Sequence, residues 1–458
     1  MILTINGGSS SIKFSMYTFA GNVLEPALKG KIDRIGLDGA TLTYTDLSAD
    51  VNSAVGGTGS TVGATVSAGA AVGTGTGVTP GAPVAAQPVS LPAEAPNLEH
   101  AAHWLIDWLQ KHTAFDRVKA IGHRIVHGMD ITQPTLVDDN LLKRLKDISS
   151  YDPDHLPGEI ALIEVFRKRY PQIPQVACFD TAFHADLPRV ARLLPIPRRF
   201  DAEGIRRYGF HGLSYEYIMK RLGQMLTPST TNGMIILAHL GNGASIAAVK
   251  GGRSIDTSMG FTPAGGLMMG SRPGDMDPGA AWYMIRKEGL SASAFNDLVN
   301  HQSGLLGVSE TTSDMRDLMQ RAGMSAAAHG ADGDIAGAHE AGTGAKAGIA
   351  AAYVAGRDYR AAEAIALFCY TVRKWIGSFT AALGGLETLV FTGGIGENIP
   401  QIRARICEGL EYLGLYLDKG LNDKNAILVS SHGSRVAVYI IPTDEEYMIA
   451  EKTKNLLS

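Results

Sequence analysis

Three times in this chain a short apolar strand runs into a turn rich in glycine. In the clearest case, residues 234–238 are followed by Gly-Asn-Gly at 241–243 and by an alternating strand at 244–249, which predicts a β-hairpin. The same order recurs at residues 3–13 (LTINGGSSSIK) and 389–398 (LVFTGGIGEN). Glycine has no Cβ and adopts positive φ, so backbone N–H groups in such turns can approach a phosphate closely. One such turn is usually only a turn, but three favour phosphate binding.

Length and composition indicate a globular protein that acts on a small molecule. A chain of 458 residues exceeds one ordinary core, so we expect two domains. With 45% hydrophobic residues, 19% charged residues and a net charge of -4, nothing favours binding to nucleic acid or to an anionic membrane. The sequence therefore predicts no nucleic-acid partner and no membrane partner.

The cysteines and the N-terminal segment bear on the cellular compartment. Three widely separated cysteines offer neither a disulfide framework nor a metal-ligand spacing, which is typical of a reducing cytosol. The first residues lack a basic segment followed by a long apolar one, and no run of about 18 apolar residues occurs. We expect a cytoplasmic protein that is neither exported nor membrane-spanning.

Several charged and polar side chains stand where they could bind an anion or a metal. Lys13, next to serines and glycines, is suited to phosphate oxygens, although an ordinary hairpin with a solvated lysine is the simpler interpretation of that turn alone. Arg124 lies in an apolar strand, where an anion and a structural carboxylate are equally good partners. Asp180 ends a buried strand and could bind metal, act as a base or cap the next turn. A lone histidine such as His211 is most often buried and neutral. Glu445 follows the predicted N-cap Asp444, so the helix dipole alone could explain it.

Regular elements and two unusual segments can also be predicted. Periodicity predicts helices at 98–112, 158–170, 214–226, 279–288, 291–300, 315–321 and 360–383, and strands at 175–180, 388–392 and 435–441. Residues 393–398 are predicted as a turn before a helix that begins near Gln401. The long loop 260–278, which contains Arg272, is expected to be ordered and functional. Residues 51–93 and 322–356, rich in alanine and glycine, are predicted to be flexible insertions.

Eight motifs in order resemble the acetokinase family, the acetate kinases and other short-chain acyl kinases of the actin-like ATPase superfamily. They are INGGSSSIK, GHRIVHG, FDTAFH, RYGFHG, HLGNGASI, GFTPAGGLMMGSRPGDMDP, FTGGIGENIP and IPTDEE. The resemblance implies an α/β protein with two RNase-H-like (actin-like ATPase) domains, mixed twisted sheets and an active site in the inter-domain cleft. The N-terminal domain would span 1–181 and be completed by a C-terminal helix at 444–458, and the second domain would span 182–443. A homodimer is expected.

The same resemblance implies the reaction and the residues that perform it. The reaction is reversible transfer of the γ-phosphoryl group of ATP to acetate, giving acetyl phosphate and ADP, with Mg2+ or Mn2+. The catalytic residues would be Arg124, Asp180, His211 and Arg272, with Asp180 also on the magnesium side. Acetate would contact Arg124, Val126, His155 and Pro263, and the metal would be held by Asn6 and Glu445. The nucleotide would contact Ser9, Ser11, Lys13, His239, Asn242, Gly243, Asp314, Met315, Arg316, Gly394, Ile395 and Asn398. These roles agree with the chemistry, because a loose phosphoryl transition state needs positioning and positive charge. The two arginines, the histidine, the backbone amides of the glycine turns and the metal ion would supply them.

The chain departs from the family pattern at the predicted acyl pocket. Residues 152–156 read DPDHL where the family usually has APLHN, so Asp154 replaces a leucine that helps to enclose the acetate methyl group. Because an aspartate beside a proline in a turn commonly accepts local backbone N–H bonds, we expect this of Asp154, the alternative being a bond to a hydroxyl group on a larger substrate. Leu213 and Tyr215 also replace the usual residues. The alternatives are therefore a propionate or butyrate kinase, or another short-chain carboxylate kinase. A more remote one is an actin-like nucleotide switch that phosphorylates nothing.

Overall fold

The structure is a computed structural model that describes residues 1–8, 10–21, 23–48, 87–324 and 357–458. Its first sheet has eight strands in the order β5-β4-β3-β2-β1-β6-β8-β7. The strands are β1 Ile2–Gly7, β2 Ser11–Ala20, β3 Val23–Asp33, β4 Thr41–Asp46, β5 Val89–Pro92, β6 Ala120–Ile125, β7 Thr135–Leu136 and β8 Gln175–Phe179. β1 pairs antiparallel with β2 and parallel with β6, so the sheet is mixed.

The second sheet has five strands in the order β11-β10-β9-β12-β13. They are β9 Met234–Leu240, β10 Ala244–Lys250, β11 Arg253–Thr257, β12 Thr388–Thr392 and β13 Ala437–Ile440. β9 and β10 form the predicted hairpin around residues 241–243, and β12 runs parallel to β9 on its other side. The carboxyl ends of β9 and β12 therefore lie side by side at one edge of the sheet.

Helices cover both sheets. In chain order they are α1 Leu98–His112, α2 Asp139–Asp147, α3 Leu156–Arg169, α4 Arg189–Arg192, α5 Arg198–Ala202, α6 Gly212–Met225, α7 Pro228–Thr231, α8 Pro278–Glu288, α9 Ala292–His301, α10 Gly304–Ser309, α11 Met315–Arg321, α12 Tyr359–Leu383, α13 Gly393–Asn398, α14 Pro400–Cys407, α15 Lys419–Asp423 and α16 Glu445–Leu457. α12 buries its apolar side, including Ile365, Phe368 and Val372, in the core beside the second sheet. No helix in the described ranges combines the length and the apolar character needed to cross a membrane.

The last helix returns to the first sheet. α16 packs against β1, β6 and β8, and a Cβ at Gly122 of β6 would lie only 2.3 Å from Thr453 Oγ1. Glycine at this position is therefore what allows the helix to approach the strand so closely. Asp444 caps the helix as predicted, since its Oδ1 accepts a hydrogen bond from the backbone N–H of Tyr447 at 2.9 Å.

The local sequence predictions are confirmed for the elements with strong periodicity and wrong for three short stretches. Helix 98–112 and strand 388–392 have the predicted bounds. Residues 393–398, predicted as a turn, are the short helix α13. Residues 89–92, predicted as part of a flexible insertion, are the edge strand β5, paired with β4. Ala322, predicted as the start of the second insertion, is buried in the core. The rest of the two predicted insertions, 51–86 and 325–356, lies outside the described residues.

Candidate active site

Arg124 and Asp180 meet at the carboxyl ends of β6 and β8, neighbouring parallel strands of the first sheet. Nη2 of Arg124 donates to Oδ2 of Asp180 at 2.7 Å, and Nη1 lies 3.6 Å from Oε1 of Glu159. Asp180 is fully buried and the Arg124 side chain is 13% exposed. Although burial alone would lower it, the carboxylates of Asp180, Glu445 and Glu159 raise the pKa of Arg124. Of the two partners left open by the sequence, the protein supplies the carboxylate, and Nε of Arg124 stays buried without a partner among the described residues.

Asp180 also holds the start of α6. Its Oδ2 accepts the backbone N–H of His211 at 3.0 Å, and its carbonyl oxygen accepts the N–H of Gly212 at 2.8 Å. These N–H groups have no partner within the helix, so Asp180 caps the start of α6 through one carboxylate oxygen and its carbonyl oxygen. The sequence suggested a cap on the turn that directly follows Asp180, and this is wrong, because among the described residues its carboxylate accepts no N–H group of that turn. The metal and base roles stay predictions.

His211 has a constrained backbone and a constrained ring. Its φ of +58° lies in the left-handed region, which is uncommon for a residue other than glycine. Its Nδ1 pairs with Ser245 Oγ at 2.9 Å, and Ser245 also bonds the hydroxyl of Tyr215. The ring stacks on His239 with centroids 4.1 Å apart. Burial, followed by the charges of His239 and the two arginines, lowers the pKa of His211 well below its usual value. The ring is therefore neutral at pH 7, as the sequence led us to expect.

The turn of the β9–β10 hairpin brings His211 and Arg272 together. A Cβ placed on Gly243 would lie 2.9 Å from Nη2 of Arg272 and 3.4 Å from Nε2 of His211. Both side chains therefore lie against the backbone of Gly243, which needs the absence of a Cβ. The preceding residue, Asn242, accepts the N–H of Gly270 on its carbonyl at 2.9 Å, so the loop 260–278 is fastened to the turn.

Arg272 is the second buried cation of this region. Nη1 donates to the carbonyl of Pro263 at 2.6 Å, within the same loop. Burial lowers its pKa to about 10, with Asp152 opposing and Arg124 adding to the change. The guanidinium stays charged at pH 7 and has no carboxylate bonded to it among the described residues. An anion entering between Arg124 and Arg272 would supply the missing negative charge.

Four polar side chains, two from the first sheet and two from α16, form a cluster: Asn6, Lys13, Glu445 and Glu446. Nδ2 of Asn6 donates to Oε2 of Glu445 at 3.0 Å and to Oε1 of Glu446 at 3.1 Å. Asn6 pairs with Lys13 across the N-terminal hairpin. The Glu445 carboxylate raises the pKa of Lys13, while Lys13 and Arg124 outweigh burial and lower the pKa of Glu445. Burial lowers the pKa of His239, and the Glu445 carboxylate opposes this change whereas Lys13 adds to it.

The oxygens of this group suit Mg2+. Both bonds of Asn6 use its amide nitrogen, which leaves Oδ1 as a free oxygen ligand next to two carboxylates. No cluster of three or more His, Cys, Asp or Glu side chains able to hold a metal occurs within the described ranges. Mg2+ in nucleotide sites is typically held by one or two carboxylates together with phosphate oxygens and water, so Asn6 and Glu445 fit it.

The predicted acyl residues lie near Arg272 and Arg124. Val126 is buried, and its N–H donates to Glu159 Oε2 at 2.8 Å. His155 is 21% exposed and its Nδ1 lies 2.9 Å from Asp152 Oδ1. Asp154 was expected to accept backbone N–H bonds in its turn, and this is wrong. Its Oδ1 lies 3.5 Å from Nε2 of His301 on α9, and no backbone bond to it is found among the described residues.

The predicted nucleotide residues that the structure describes fall into three groups. His239, Asn242 and Gly243 lie at the hairpin turn, and a Cβ on Gly241 would be 3.9 Å from the backbone nitrogen of Gly394, so α13 begins beside them. Ile395 is buried on that helix, and Asn398 Nδ2 donates to the Gly394 carbonyl. Ser11 is half-buried on β2, next to Lys13. Ser9 lies outside the described residues.

The predicted adenosine residues of α11 stand apart. Asp314 is exposed and caps α11 by accepting the N–H groups of Arg316 and Asp317. Arg316 is exposed, whereas Met315 is buried in the core. No hydrogen bond or ion pair of the described residues joins this group to α13.

Four residues of the site were missed by sequence reasoning: Glu159, Ser245, Tyr215 and Glu446. Glu159 is buried next to Arg124, and burial raises its pKa to about 8. A carboxylate on the apolar side of a helix was the available signal for it. Tyr215 stood out only as an unusual residue, and its partner Ser245 could not be inferred without the sheet.

Comparison with known proteins gives one family. The sequence pattern of the Acetokinase family matches residues 83–331 and 347–451. Acetate kinase of Geobacillus sp. (strain WCH70) is 36% identical over 99% of this chain and 98% of its own length. The crystal structure of Porphyromonas gingivalis acetate kinase has a TM-score of 0.74 at 30% identity and covers 100% of this chain and 99% of that one. A propionate kinase from Francisella tularensis has a TM-score of 0.77 at 30% identity, with 99% of both chains covered.

Proposed function

This chain belongs to the acetokinase family, has the actin-like ATPase fold and is a phosphotransferase with a carboxyl group as acceptor, and from that premise we propose that it is an acetate kinase. It transfers the γ-phosphoryl group of ATP reversibly to acetate and yields acetyl phosphate and ADP. The observation that carries this proposal is the convergence of Arg272 Nη2 and His211 Nε2 on the backbone of Gly243.

The convergence suits a phosphoryl group in transfer. In the loose transition state, charge spreads over the three equatorial oxygens of the phosphoryl group. Arg272 and Arg124 supply positive charge, and a neutral His211 supplies a ring nitrogen without adding charge. These groups are fixed before substrate binds, so little reorganisation is needed during the reaction. No nucleophilic side chain is required.

The carboxylate of acetate is proposed to bind between Arg124 and Arg272, with its methyl group against Val126 and Pro263. His155 borders the same region through its bond to Asp152. Asp180 acts as a positioning residue, because one of its oxygens binds both Arg124 and the His211 N–H. Removing one partner of a buried, hydrogen-bonded ion pair typically costs about 3–5 kcal/mol.

The nucleotide and its metal are proposed to bind at the glycine turns. Asn6 and Glu445 would hold Mg2+ or Mn2+, which neutralises charge on the phosphates when bound. Ser9, Ser11, Lys13 and the Asn242–Gly243 turn would contact the phosphates. Gly394, Ile395 and Asn398 would contact the adenosine, together with Asp314, Met315 and Arg316.

The domain boundaries, the oligomeric state and the location complete the proposal. Domains at 1–181 with 444–458 and at 182–443 are supported by the two sheets and by the packing of α16 on the first. A homodimer is supported by the exposed aromatic rings of Trp282 and Tyr283 on α8. A cytoplasmic location is supported by three buried free cysteines.

A hydroxamate assay for acetyl phosphate, with ATP, acetate and Mg2+, tests the proposed reaction directly. We expect ATP-dependent product that disappears when acetate is omitted. ATP hydrolysis without acetyl phosphate would instead favour a nucleotide switch. A second candidate, a propionate kinase, is favoured by the similarity to the Francisella propionate kinase. Comparing kcat/KM for acetate, propionate and butyrate separates the two.

A further inference from the structure

A cavity separate from the residues of the candidate active site is lined by three arginines. It has a volume of about 190 Å³ and lies between the loop after β6, the turn after β8 and residues 206–208. Arg192, Arg206 and Arg207 line it, and neither Arg124, Arg272 nor His211 does. We call it the arginine pocket. Since about 10–15 Å³ is enough for one water, it has room for a small polyatomic ion.

Two of these guanidinium groups have donors without partners. Nε of Arg192 and Nε of Arg206 are both buried, and neither has a hydrogen-bond partner within the described part of the chain. Buried polar atoms are nearly always hydrogen-bonded in native proteins, so each exception calls for a ligand or an ordered water. Two such exceptions occur on side chains that line one cavity, so the protein leaves part of the hydrogen-bonding capacity of these guanidinium groups unused.

The third arginine is held by neutral groups. Nη1 of Arg207 donates to the carbonyls of Thr257, Ser258 and Met259, and its Nε donates to that of Ala191. These bonds fix the guanidinium without neutralising its charge. Within the described part of the chain, Arg192 likewise donates hydrogen bonds only to carbonyls, those of Ala185 and Leu187.

The nearby carboxylates are occupied elsewhere. Asp130 lines the pocket, but its Oδ1 accepts from Arg144 at 2.9 Å. Asp201 is paired with both terminal nitrogens of Arg189. The pocket therefore carries an excess of positive charge, and the hydroxyl-bearing Thr132 and Thr181 stand on its wall.

We propose that the arginine pocket is a second binding site, specific for a small oxyanion and distinct from the substrate site. Guanidinium groups present N–H donors in a fork that matches the oxygens of a phosphate or a carboxylate. The ligand is either inorganic phosphate, alone or as the phosphate of a metabolite, or a small dicarboxylate. Thr181 of its wall directly follows Asp180, and Met129, Asp130 and Thr132 belong to the loop after β6, which carries Arg124, so a bound ion contacts segments next to this ion pair.

Calorimetric titration with the cleft filled tests the proposal. The full chain is saturated with a non-hydrolysable ATP analogue, Mg2+ and acetate, and is titrated at constant ionic strength with inorganic phosphate in one arm and malonate in the other. We expect saturable binding of at least one, and the preferred arm identifies the ligand class. The R192Q/R206Q variant should bind at least ten-fold more weakly. R198Q/R199Q removes the same charge from exposed residues of α5 outside the pocket and should stay within two-fold.

A crystal of the wild type soaked in selenate gives an independent readout that does not depend on the folding of a variant. Anomalous density between Arg192 and Arg206 is expected. The proposal is overturned if the wild type binds neither anion, if both double variants weaken binding equally, or if selenate does not occupy the pocket.

Discussion

Oδ2 of Asp180 accepts the backbone N–H of His211 at 3.0 Å and also the Nη2–H of Arg124 at 2.7 Å. One oxygen therefore fixes both Arg124, on the first sheet, and His211, at the start of α6. A displacement of Asp180 would shift both partners together, and displacements of about 1 Å can lower a rate by about 10²-fold. The geometry of the site depends on this carboxylate even though it need not touch substrate.

The first prediction concerns the two arginines. R124A and R272A should each lower kcat by about 10³-fold, because each removes a positive charge from a site that excludes water, where negative charge develops. Steady-state kinetics in the acetyl phosphate assay measure this. R144A, which removes an exposed arginine paired with Asp130, is the matched control and should retain near-normal turnover. Near-normal activity of either active-site variant, with unchanged circular dichroism, would remove that arginine from the mechanism.

The second prediction separates positioning from metal binding. E445Q should raise the Mg2+ concentration needed for half-maximal rate by at least ten-fold, because Glu445 is proposed as a ligand. D180N should instead lower kcat with little change in Mg2+ dependence, because its oxygens bond Arg124 and the backbone of α6. Rates measured over a Mg2+ series compare the two. If the D180N curve shifted as far as that of E445Q, Asp180 would belong to the metal site.

The elements predicted from sequence are those with a strong local signal. Helix 98–112 has a polar cap and an apolar stripe, and the 234–250 hairpin has alternation and a glycine turn, so neither depends on distant residues. Residues 393–398 were mistaken for a turn, because glycines in a helix resemble glycines in a loop unless the backbone is known. The β5 strand was missed because its pairing with β4 is a long-range contact across residues of low-complexity composition.

The site could be predicted as a set of residues but not as a set of contacts. Arg124, Asp180 and His211 were identified from motifs and from charge in apolar surroundings. That one oxygen of Asp180 serves both of the others, and that Asp154 turns to His301, depends on how separate loops meet. Sequence spacing contains no information on those distances.

The third prediction concerns stability at acidic pH. His123 on β6 is fully buried, and burial lowers its pKa to about 4, despite its bond to Gln175. An unfolded histidine has a pKa of about 6.5, so the unfolded state binds a proton first as pH falls. The contribution of neutral His123 to the free energy of unfolding is therefore fully present well above pH 6.5, and it is lost as pH falls from 6.5 towards 4. Between pH 6.5 and 5 this amounts to about 2 kcal/mol, at about 1.4 kcal/mol per pH unit.

Urea unfolding at pH 7 and at pH 5 measures that loss. H123Q should reduce the difference in the free energy of unfolding between the two pH values by about 1–2 kcal/mol, because glutamine does not titrate. H432Q, at an exposed histidine, is the control and should leave the difference unchanged. An H123Q protein with the full wild-type difference would show that His123 does not contribute to acid unfolding.

The last prediction concerns Asp154, which replaces the family's acyl-pocket leucine. Two like charges at about 4–5 Å in a partly dry site repel by several kcal/mol, so a carboxylate facing the substrate would weaken acetate binding. In the structure Oδ1 of Asp154 is directed to His301 on α9, at 3.5 Å. We therefore expect D154L to leave the KM for acetate within about three-fold. H301L removes the same contact from the other side and should change the acetate KM as little.

The alternative is that Asp154 turns into the pocket and bonds a hydroxyl group on a larger acid. It would then bind lactate or glycolate through a hydrogen bond to a charged acceptor, which D154L would abolish. With that arrangement, D154L has a clearly higher kcat/KM for acetate and loses at least ten-fold in kcat/KM for the hydroxy acid. H301L shows neither of these two changes. Measuring both acids on wild type, D154L and H301L distinguishes the two arrangements. Wild-type activity on the hydroxy acid above that on acetate would replace acetate as the proposed substrate, because only an inward carboxylate gives that preference.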